Sequence, residues 1–376
     1  MKNLVEIREE IDKIDREIVK LYEARMELTN GVAAYKIATG KQVLDKEREQ
    51  QKLNQVKEMV QEKENRYGVG ELFEQIMSMS RKRQYQMIGA SIGRTKTEFQ
   101  WVDNLPFSSH KVVYQGVEGA YSQMAMKAYF GEDTMSFHVD TWKDAMEAIQ
   151  NQEADYAVLP IENSSAGIVS ENFDLLVEYN NYIVAEQTIK IEHALLGLPE
   201  TVISDITTVF SHPQALMQSV DFLDEHKEWE QVSLQNTAVA AKKIVEDGQK
   251  NQAAIASAVT AKLYGLHILQ ENINYSEENS TRFIIVTGKK ICLEHAKKVS
   301  ICFEAEHESG SLYRMLSHFI YNNLNMIKIE SRPIKDKSFE YRFFVDFEGK
   351  LTDSGVQNAL KGLTEEAIAV KILGNY

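Results

Sequence analysis

Apolar residues recur at intervals of three and four near the N-terminus, and no other feature restricts the fold of this chain as strongly. The positions are Leu4, Ile7, Ile11, Ile14, Ile18, Leu21, Leu28, Val32 and Tyr35. This spacing predicts one long helix with an apolar seam, ending at Gly40. A helix of about 35 residues is about 50 Å long. A 90-residue monomer could not cover such a seam, so we expect an intertwined helical dimer.

The rest of residues 1–90 contains no proline and predicts two more helices. One is expected from Asp45, as its N-cap, to about Glu64, and the other from about Val69 to Met87. Residues 1–90 are therefore predicted to form an all-α domain. The pattern stops at residues 91–109, which are interpreted as a linker.

Residues 110–288 alternate short β-rich runs with helices, which predicts an α/β domain with a parallel sheet. The long β-rich stretch at 182–198 is expected to cross between two lobes. Residues 298–376 then follow the order βαββαβ, which predicts an α+β domain of the ferredoxin-like kind. That superfold has many functions and does not by itself indicate an activity.

Length, composition and charge exclude several classes of protein. A chain of 376 residues with 43% hydrophobic and 26% charged residues predicts two or three globular domains. A net charge of −14 argues against non-specific nucleic-acid binding. No apolar run is long enough for a membrane span, and the charged N-terminus lacks a signal core, so a cytosolic protein is expected. Two cysteines, Cys292 and Cys302, predict buried thiols and no metal site.

Arg25 occupies a seam position where an apolar residue is expected, between Leu21 and Leu28. A buried charge must be paired or must bind a ligand. A register-setting polar residue or a solvated arginine would explain Arg25 equally well. Other polar residues of the three helices favour the ligand interpretation, because they are predicted to face one bundle interior: Arg8, Lys36, Asp45, Arg48, Glu49, Ser80 and Gln84. Together they suggest a cationic pocket for a small dianion.

In type and spacing these eight residues resemble the all-helical chorismate mutases, over the whole of residues 1–90. The resemblance implies a unimolecular rearrangement of chorismate to prephenate that needs no cofactor. It implies that Arg8, from the other subunit, Arg25 and Arg48 bind the two carboxylates, with help from Ser80, and that Asp45 belongs to the binding site. Lys36 and Gln84 would hydrogen-bond the ether oxygen, and Glu49 the substrate hydroxyl.

The middle segment has three motifs of its own. A glycine turn (Gly116 and Gly119) opens a helix that carries Tyr121 and Ser122; by itself, a tight turn explains it better than an anion site does. The runs PIENSSAG at 160–167 and SHPQ at 211–214 follow strands, and NSTRF at 279–283 opens the last strand.

Together these motifs resemble prephenate dehydratase over about residues 110–288, with Val117 where many members have proline. The resemblance implies that Thr281 assists loss of the substrate hydroxyl, that Arg282 or its neighbourhood binds a carboxylate, and that Phe283 shapes the pocket. Glu162, Asn163, Ser164 and Ser211 would line it.

The C-terminal segment resembles the amino-acid-binding ACT domain. Gly310, Ser311 and Leu312 open its first helix, with Ser311 where the family usually has alanine. The other matching residues are Glu330, Ser331, Arg332 and Pro333. The resemblance implies that phenylalanine binds between two such domains and shifts the enzyme toward a less active state.

The order of the three segments resembles bifunctional enzymes that make phenylpyruvate from chorismate. The expected small molecules are chorismate, prephenate and phenylalanine, with no cofactor, and the expected assembly is a homodimer or homotetramer. Two alternatives stay open: a dehydratase whose mutase-like domain serves only dimerisation, and a two-lobed ligand-binding regulatory protein.

Overall fold

The computed structural model describes residues 2–92, 98–105, 110–276, 278–335 and 337–376. The chain divides into two units, which are named here by number. Unit 1 contains the N-terminal helices together with Ile301–Lys371, and unit 2 contains Glu98–Ser300 together with Ile372–Tyr376.

Three helices form the N-terminal part of unit 1: α1 (Leu4–Thr39), α2 (Lys46–Glu58) and α3 (Arg66–Ile92). The predicted boundaries at Gly40 and Asp45 are confirmed: Gly40 has a left-handed backbone with φ 68°, and the Asp45 carboxylate accepts a hydrogen bond from the Arg48 N–H. The predicted ends at Glu64 and Met87 are wrong.

Helix α2 stops six residues early, and the short 3-10 turn Lys63–Asn65 precedes α3. Helix α3 in turn runs beyond Met87, because Tyr85 and Ile88 stay buried in one apolar cluster with Val43.

The apolar seam of α1 is exposed in this single chain. Leu21 and Leu28 are 67% and 75% exposed, whereas Met26, Thr29 and Ala33, on another face of the helix, are buried. Helix α1 packs against α3 through this second face. The seam therefore remains a large unpartnered apolar surface.

Unit 2 is an α/β structure. Its strands are β1 (Gln100–Val102), β2 (Val112–Gln115), β3 (Ser136–Val139), β4 (Tyr156–Asn163), β5 (Gly167–Ile168), β6 (Tyr182–Lys190), β7 (Ala194–Gly197), β8 (Thr208–Ser211), β9 (Glu230–Ser233), β10 (Gln252–Ala256), β11 (His267–Gln270), β12 (Ser280–Thr287) and β13 (Ile291–Leu293). Its helices are α4 (Tyr121–Phe130), α5 (Trp142–Gln150), α6 (Ser170–Glu178), α7 (Pro213–Gln218), α8 (Val220–Asp224), α9 (Thr237–Asp247) and α10 (Ala258–Tyr264).

Two lobes make up this unit. Lobe 1 has the strand order β6-β12-β4-β2-β3, and lobe 2 has the order β11-β7-β10-β8-β9. The chain crosses from lobe 1 to lobe 2 between β6 and β7, as the long β-rich stretch predicted, and returns between β11 and β12. The prediction of a parallel sheet is only partly right, because β12 runs antiparallel to both β4 and β6, and β7 antiparallel to β10.

The segment predicted as a linker at 91–109 is not wholly irregular. Helix α3 extends to Ile92, and β1 pairs in parallel with β13, with Trp101 opposite Cys292. The second strand of this pair lies almost two hundred residues away in sequence, so no local pattern indicated it. Residues 93–97 and 106–109 lie outside the described residues.

The C-terminal segment has the predicted element order: β14 (Lys298–Glu304), α11 (Ser311–Tyr321), β15 (Met326–Pro333), β16 (Tyr341–Glu348), α12 (Ser354–Glu366) and β17 (Ala369–Asn375). The strands are ordered β15-β16-β14-β17, so β15 forms an edge. Helices α11 and α12 pack on each other, and both contact α3 within unit 1.

Candidate active sites

Two cationic side chains of α1 form hydrogen bonds within unit 1, Arg25 with helix α3 and Lys36 with the loop between α1 and α2. The guanidinium Nη1 of Arg25 donates to Ser80 Oγ at 2.5 Å, and Lys36 Nζ donates to the carbonyl oxygen of Val43 at 2.6 Å. Burial lowers the pKa of Arg25, an effect partly opposed by Tyr22 and Glu49. Neither side chain points freely into solvent, and both stand where an anion could be bound.

Lys36 has the same electrostatic surroundings. Burial lowers the pKa of its ammonium group, and the nearby charges of Asp45 and Glu49 oppose that shift. Glu49 thus acts on both Arg25 and Lys36, so the three side chains form one charged cluster.

Two buried polar residues of α3 complete this cluster. Ser80 and Gln84 are each 6% exposed, and Gln84 Nε2 donates to the Ser80 carbonyl oxygen at 3.2 Å. Gln84 Oε1 is buried and has no hydrogen-bond partner within the described ranges. An unpaired buried amide oxygen costs free energy, so Gln84 Oε1 marks a position that can accept a hydrogen bond from a ligand.

Three of the eight predicted residues are placed differently. Asp45 uses one carboxylate oxygen to cap α2, at 3.0 Å from the Arg48 nitrogen, and the Arg48 side chain is exposed. Arg8 lies on the exposed N-terminal part of α1, seventeen residues before Arg25, which corresponds to about 25 Å along the helix. One chain therefore brings together Arg25, Lys36, Glu49, Ser80 and Gln84, with the exposed Asp45 carboxylate near enough to act on the Lys36 charge.

In unit 2 a cavity of about 460 Å³ lies between the two lobes. Of the predicted residues, Asn163, Thr281 and Phe283 line it. Lobe 2 contributes the opposite wall through His212, Gln214, Gln218, Asn236 and Thr237. A volume of this size suits a small organic acid.

Asn163 and Thr281 form the best-defined hydrogen bond of this cavity. They face each other on the antiparallel strands β4 and β12, and Asn163 Nδ2 donates to Thr281 Oγ1 at 2.8 Å. The orientation of the amide is fixed because Asn163 Oδ1 accepts from the backbone N–H groups of Ser165 and Ala166. The hydroxyl hydrogen of Thr281 is therefore free to donate to a ligand.

Arg282 and Glu162 do not line the cavity, contrary to the prediction. Side chains alternate along a strand, so Thr281 and Phe283 face the cavity and Arg282 faces the other side of the sheet. There its guanidinium pairs with Glu162 at 2.9 Å and with Glu186 at 3.1 Å. The expected carboxylate contact of Arg282 is thus replaced by a structural ion-pair network.

Ser164 and Ser211 are not lining residues either. Ser164 Oγ donates to the carbonyl oxygen of Glu278 and accepts the Ser280 N–H, which ties two loops together. Ser211 is fully buried at the end of β8, where its hydroxyl donates to the Ile255 carbonyl oxygen at 2.6 Å. Both hydroxyls hold the backbone around the site.

The sequence prediction missed a chain of hydrogen bonds that leads to Thr281. Gln218 Nε2 donates to Ser165 Oγ at 2.8 Å and to Asn163 Oδ1 at 3.3 Å, so its Oε1 is turned toward His193 Nε2, at 3.0 Å. The Tyr121 hydroxyl is 3.1 Å from His193 Nδ1. Burial lowers the pKa of His193 to about 4, against the opposing hydrogen bond of Gln218. This histidine is therefore neutral near pH 7.

A weak signal for these residues exists in the sequence. His193 is a polar residue inside an apolar stretch, at the crossing between lobes, and Gln218 lies one helical turn beyond the SHPQ motif. Neither position indicated the partner, which depends on how the lobes pack.

The described cavity wall contains no lysine or arginine, so a bound anion must be neutralised in another way. Four helices of nine or more residues begin at the described wall, namely α4 at Tyr121, α5 at Trp142, α6 at Ser170 and α9 at Thr237. Their unpaired backbone N–H groups and their dipoles favour negative charge.

A smaller cavity of about 280 Å³ lies in the C-terminal segment, at the start of α11. Ser311 lines it, together with Glu306, Glu308, Tyr341 and Phe343. Gly310 precedes the helix with φ 77°, a left-handed conformation that favours glycine. Of the other predicted residues, Leu312 follows in α11, whereas Glu330, Ser331, Arg332 and Pro333 lie on the edge strand β15 and do not line this cavity.

The described ranges contain neither a membrane-spanning helix nor a metal-binding cluster of side chains. None of the helices found there combines the length and apolar character that crossing a bilayer requires. Those ranges also contain no cluster of three or more His, Cys, Asp or Glu side chains placed to hold a metal ion. Cys292 and Cys302 are both free and buried, as predicted.

Comparison with known proteins assigns two segments of the chain to enzyme families. The type II chorismate mutase family matches residues 7–85, and the prephenate dehydratase family matches residues 112–291. A Buchnera aphidicola protein named bifunctional chorismate mutase/prephenate dehydratase is 32% identical, over 100% of this chain and 96% of its own length.

Solved structures resemble 71% of the chain. Prephenate dehydratase from Arthrobacter aurescens, in complex with L-Phe, is 30% identical with a TM-score of 0.66, covering 71% of this chain and 89% of its own. GqqA, described as a novel type of quorum quenching acylase, is also 30% identical, with a TM-score of 0.65 over 71% of this chain and 97% of its own.

The helical cluster and the interlobe cavity thus define an enzyme with two active sites in one chain. The full-length match decides which one: the chain belongs to the family of bifunctional chorismate mutase/prephenate dehydratases.

Proposed function

We propose that the chain converts chorismate to phenylpyruvate at two separate sites. The cluster of Arg25, Lys36, Glu49, Ser80 and Gln84 rearranges chorismate to prephenate, and the interlobe cavity around Thr281 turns prephenate into phenylpyruvate. The observation that carries the proposal is the presence of both clusters in a chain whose two family matches cover the same segments.

Positioning and electrostatics perform the mutase reaction, which needs neither a nucleophile nor a cofactor. Arg25 binds a carboxylate in a bidentate manner while Ser80 holds its guanidinium. Lys36 keeps two N–H donors beyond its bond to Val43 and directs them at the ether oxygen, where negative charge grows as the C–O bond breaks. Gln84 rotates its side-chain amide to hydrogen-bond the same ether oxygen. This rotation gives up its hydrogen bond to the Ser80 carbonyl oxygen, which costs about 1 kcal/mol.

A second copy of the chain completes the mutase site. The exposed seam of α1, from Leu4 to Tyr35, needs a partner helix, and Arg8 lies on that seam's exposed end, too far from Arg25 to act in the same chain. In a dimer of antiparallel long helices, Arg8 of each subunit reaches the cluster of the other. Arg48, exposed on α2, and the remaining oxygen of Asp45 border the same opening.

Prephenate dehydration requires one proton for the leaving hydroxyl and a place for two carboxylates. Loss of that hydroxyl as water and of one carboxylate as carbon dioxide leaves an aromatic ring, which drives the reaction. The leaving hydroxyl departs as water with a proton taken from solvent. Thr281 keeps its own hydrogen and donates it as a hydrogen bond to that group, in the orientation in which Asn163 holds it. The helix starts of α4, α6 and α9 bind the carboxylates, and Phe283 packs on the ring.

Phenylalanine regulates the chain through its C-terminal segment, which is an ACT domain in this proposal. The cavity beside Gly310 and Ser311 offers helix N–H groups to a carboxylate, while Glu306 and Glu308 offer negative charge to an amino group. Glu330–Pro333 on the exposed edge of β15 would meet the same strand of a second subunit. A related dehydratase structure contains L-Phe, which supports this choice of effector.

One set of assays tests the whole proposal. Purified protein given chorismate should form phenylpyruvate, with prephenate as the intermediate. Prephenate accumulating alone would leave only the mutase, and prephenate consumption without chorismate turnover would mean that the helical segment serves dimerisation only.

Subunit mixing tests the shared mutase site. Arg8→Ala and Arg25→Ala should each be nearly inactive as mutases, but their mixture, after subunit exchange, should recover up to about a quarter of the activity, because hybrid dimers contain one intact site. No recovery in demonstrated hybrids would mean that Arg8 does not act across the dimer.

A further inference from the structure

Arg81 links a mutase residue to the last helix of the C-terminal segment. Arg81 directly follows Ser80 on α3. Consecutive residues of a helix point in different directions, so Arg81 lies on a different side of α3 from Ser80, the residue that contacts Arg25. Its Nη1 donates to Glu49 Oε2 at 2.5 Å, and its Nε donates to Glu366 Oε1, at the end of α12, at 2.9 Å. All three residues belong to unit 1.

The charges of this triad are buried. The side chains of Arg81 and Glu366 are each 6% exposed, and that of Glu49 is 25% exposed. Burial alone would lower the pKa of Arg81, but the carboxylates of Glu366 and Glu49 raise it. Burial alone would raise the pKa of Glu366, whereas His318 and Arg81 lower it to about 2. The groups are therefore ionised and hold each other in place.

Other contacts fasten the same face of α3 to the C-terminal helices without touching Glu49, although the Glu365 charge also acts on Lys36. The Tyr85 hydroxyl donates to Glu365 Oε2 at 2.8 Å, and Lys82 Nζ donates to Ser317 Oγ at 2.7 Å. These bonds secure the packing of α3 on α11 and α12. Arg81 differs from them because its second partner is Glu49.

Among the described residues, Arg81 is the side chain that hydrogen-bonds to the Glu49 carboxylate, so its guanidinium determines where that carboxylate lies. Glu49 is also the charge that acts on both Arg25 and Lys36. A displacement of Arg81 would therefore move a carboxylate at the centre of the site, and displacements of about 1 Å at such a site cost up to about 100-fold in rate.

We propose that Arg81 is a positioning residue of the chorismate mutase site, which orients Glu49 and is itself held by Glu366 of the C-terminal segment. Mutase activity then depends on the position of α12, and dehydratase activity does not depend on this link. The inference rests on the proposed role of Glu49 in the mutase site.

A double-mutant cycle in the full-length chain tests this, with mutase and dehydratase kcat/KM measured for each variant. Arg81→Met should lower mutase kcat/KM by about 10- to 100-fold, mostly in kcat, with dehydratase activity within about twofold of the parent. Arg81→Lys should recover part of the loss. In the Glu49→Gln background, Arg81→Met should lower mutase kcat/KM by a further factor of less than about three, because the carboxylate that Arg81 orients is already lost.

Two further variants separate the link from simple packing. Glu366→Gln, which keeps shape but removes the charge, should lower mutase kcat/KM about threefold to tenfold. Ser317→Ala, the matched control, removes the bond from Lys82 between α3 and α11, which touches neither Glu49 nor Glu365, and should leave mutase activity within about twofold. Circular dichroism and the retained dehydratase activity show that each variant is folded.

The outcomes distinguish the two levels of the proposal. If Glu49→Gln leaves mutase activity intact, the proposed mutase site is wrong. If Glu49→Gln is inactive but the Arg81→Met loss is additive with it, or if Ser317→Ala matches Arg81→Met, then Arg81 acts only through packing and the inference fails. If Glu366→Gln has no effect, the link to the C-terminal segment fails.

Discussion

Removing the Thr281 hydroxyl gives the sharpest test of the dehydratase site. Thr281→Val preserves the shape of the side chain on β12 but removes both the hydrogen that Thr281 donates and the acceptor at 2.8 Å from Asn163 Nδ2. Thr281 is 9% exposed, so water does not readily replace the lost group. Thr281→Val therefore measures the contribution of one hydroxyl group.

The expected magnitudes separate chemistry from stability. Loss of a positioned hydrogen-bond donor lowers the rate by about 10²- to 10³-fold. The stability cost is about 1 kcal/mol, because Asn163 Nδ2 keeps its bond to Asn279 Oδ1 at 2.9 Å and so is not left unpaired. A folded domain is stable by about 5–15 kcal/mol, so the variant stays folded.

Phenylpyruvate formation from prephenate is the assay, with chorismate consumption measured in parallel. Dehydratase kcat should fall by at least about 100-fold while mutase kcat/KM changes less than about twofold. Thr287→Val is the matched control: Thr287 lies on the same strand, is 2% exposed, and does not line the cavity. Dehydratase activity above half that of the parent in Thr281→Val, or an equal loss in Thr287→Val, would refute the role of Thr281.

Three other outcomes follow from the structure. Lys36→Ala should lower mutase kcat/KM by at least about 100-fold, with prephenate turnover unchanged; equal loss of both activities would mean that the sites are not separate. The pKa of His193 is about 4 in the folded chain and about 6.5 in the unfolded chain. Between these two pH values the unfolded state binds more protons, so the folded state loses stability as the pH falls from 6.5 to 4. The unfolding free energy of the parent should therefore fall between pH 7 and pH 4 by about 3 kcal/mol more than that of His193→Gln. If the unfolding free energies of parent and variant fell by the same amount, the burial of a neutral imidazole would be contradicted. Ile11→Glu, on the exposed seam, should convert the proposed dimer to monomers in sedimentation and reduce mutase activity; a dimer that persists in the variant would place the interface elsewhere.

Local rules account for the parts of the fold that were predicted correctly. The three-and-four repeat from Leu4 to Tyr35 determined the long helix, and Gly40 and Asp45 determined where helices end and begin. Each of these signals lies within a few residues of the structure it specifies, since helix periodicity and caps are short-range properties. Strand alternation in the same way indicates that Thr281 and Phe283 share one face.

The composition of the sites was harder to predict, because it depends on contacts between distant segments. Arg282 or its neighbourhood was expected to bind a carboxylate of the substrate. Its partners in the structure are the carboxylates of Glu162 and Glu186, on the neighbouring strands β4 and β6. Only the order of strands in the sheet determines that pairing. His193 and Gln218 were missed for the same reason, since each becomes part of the site only when lobe 2 packs against lobe 1.

The sequence by itself determined which side chains are available and which local element carries each of them. Tertiary structure decided which of these meet: Asn163 reaches Thr281 across 118 residues, and Arg81 reaches Glu366 across 285. The physical reason is one of range. Backbone periodicity acts over a single turn or a pair of residues, whereas a hydrogen bond or a buried ion pair forms wherever packing brings its two groups within about 3 Å.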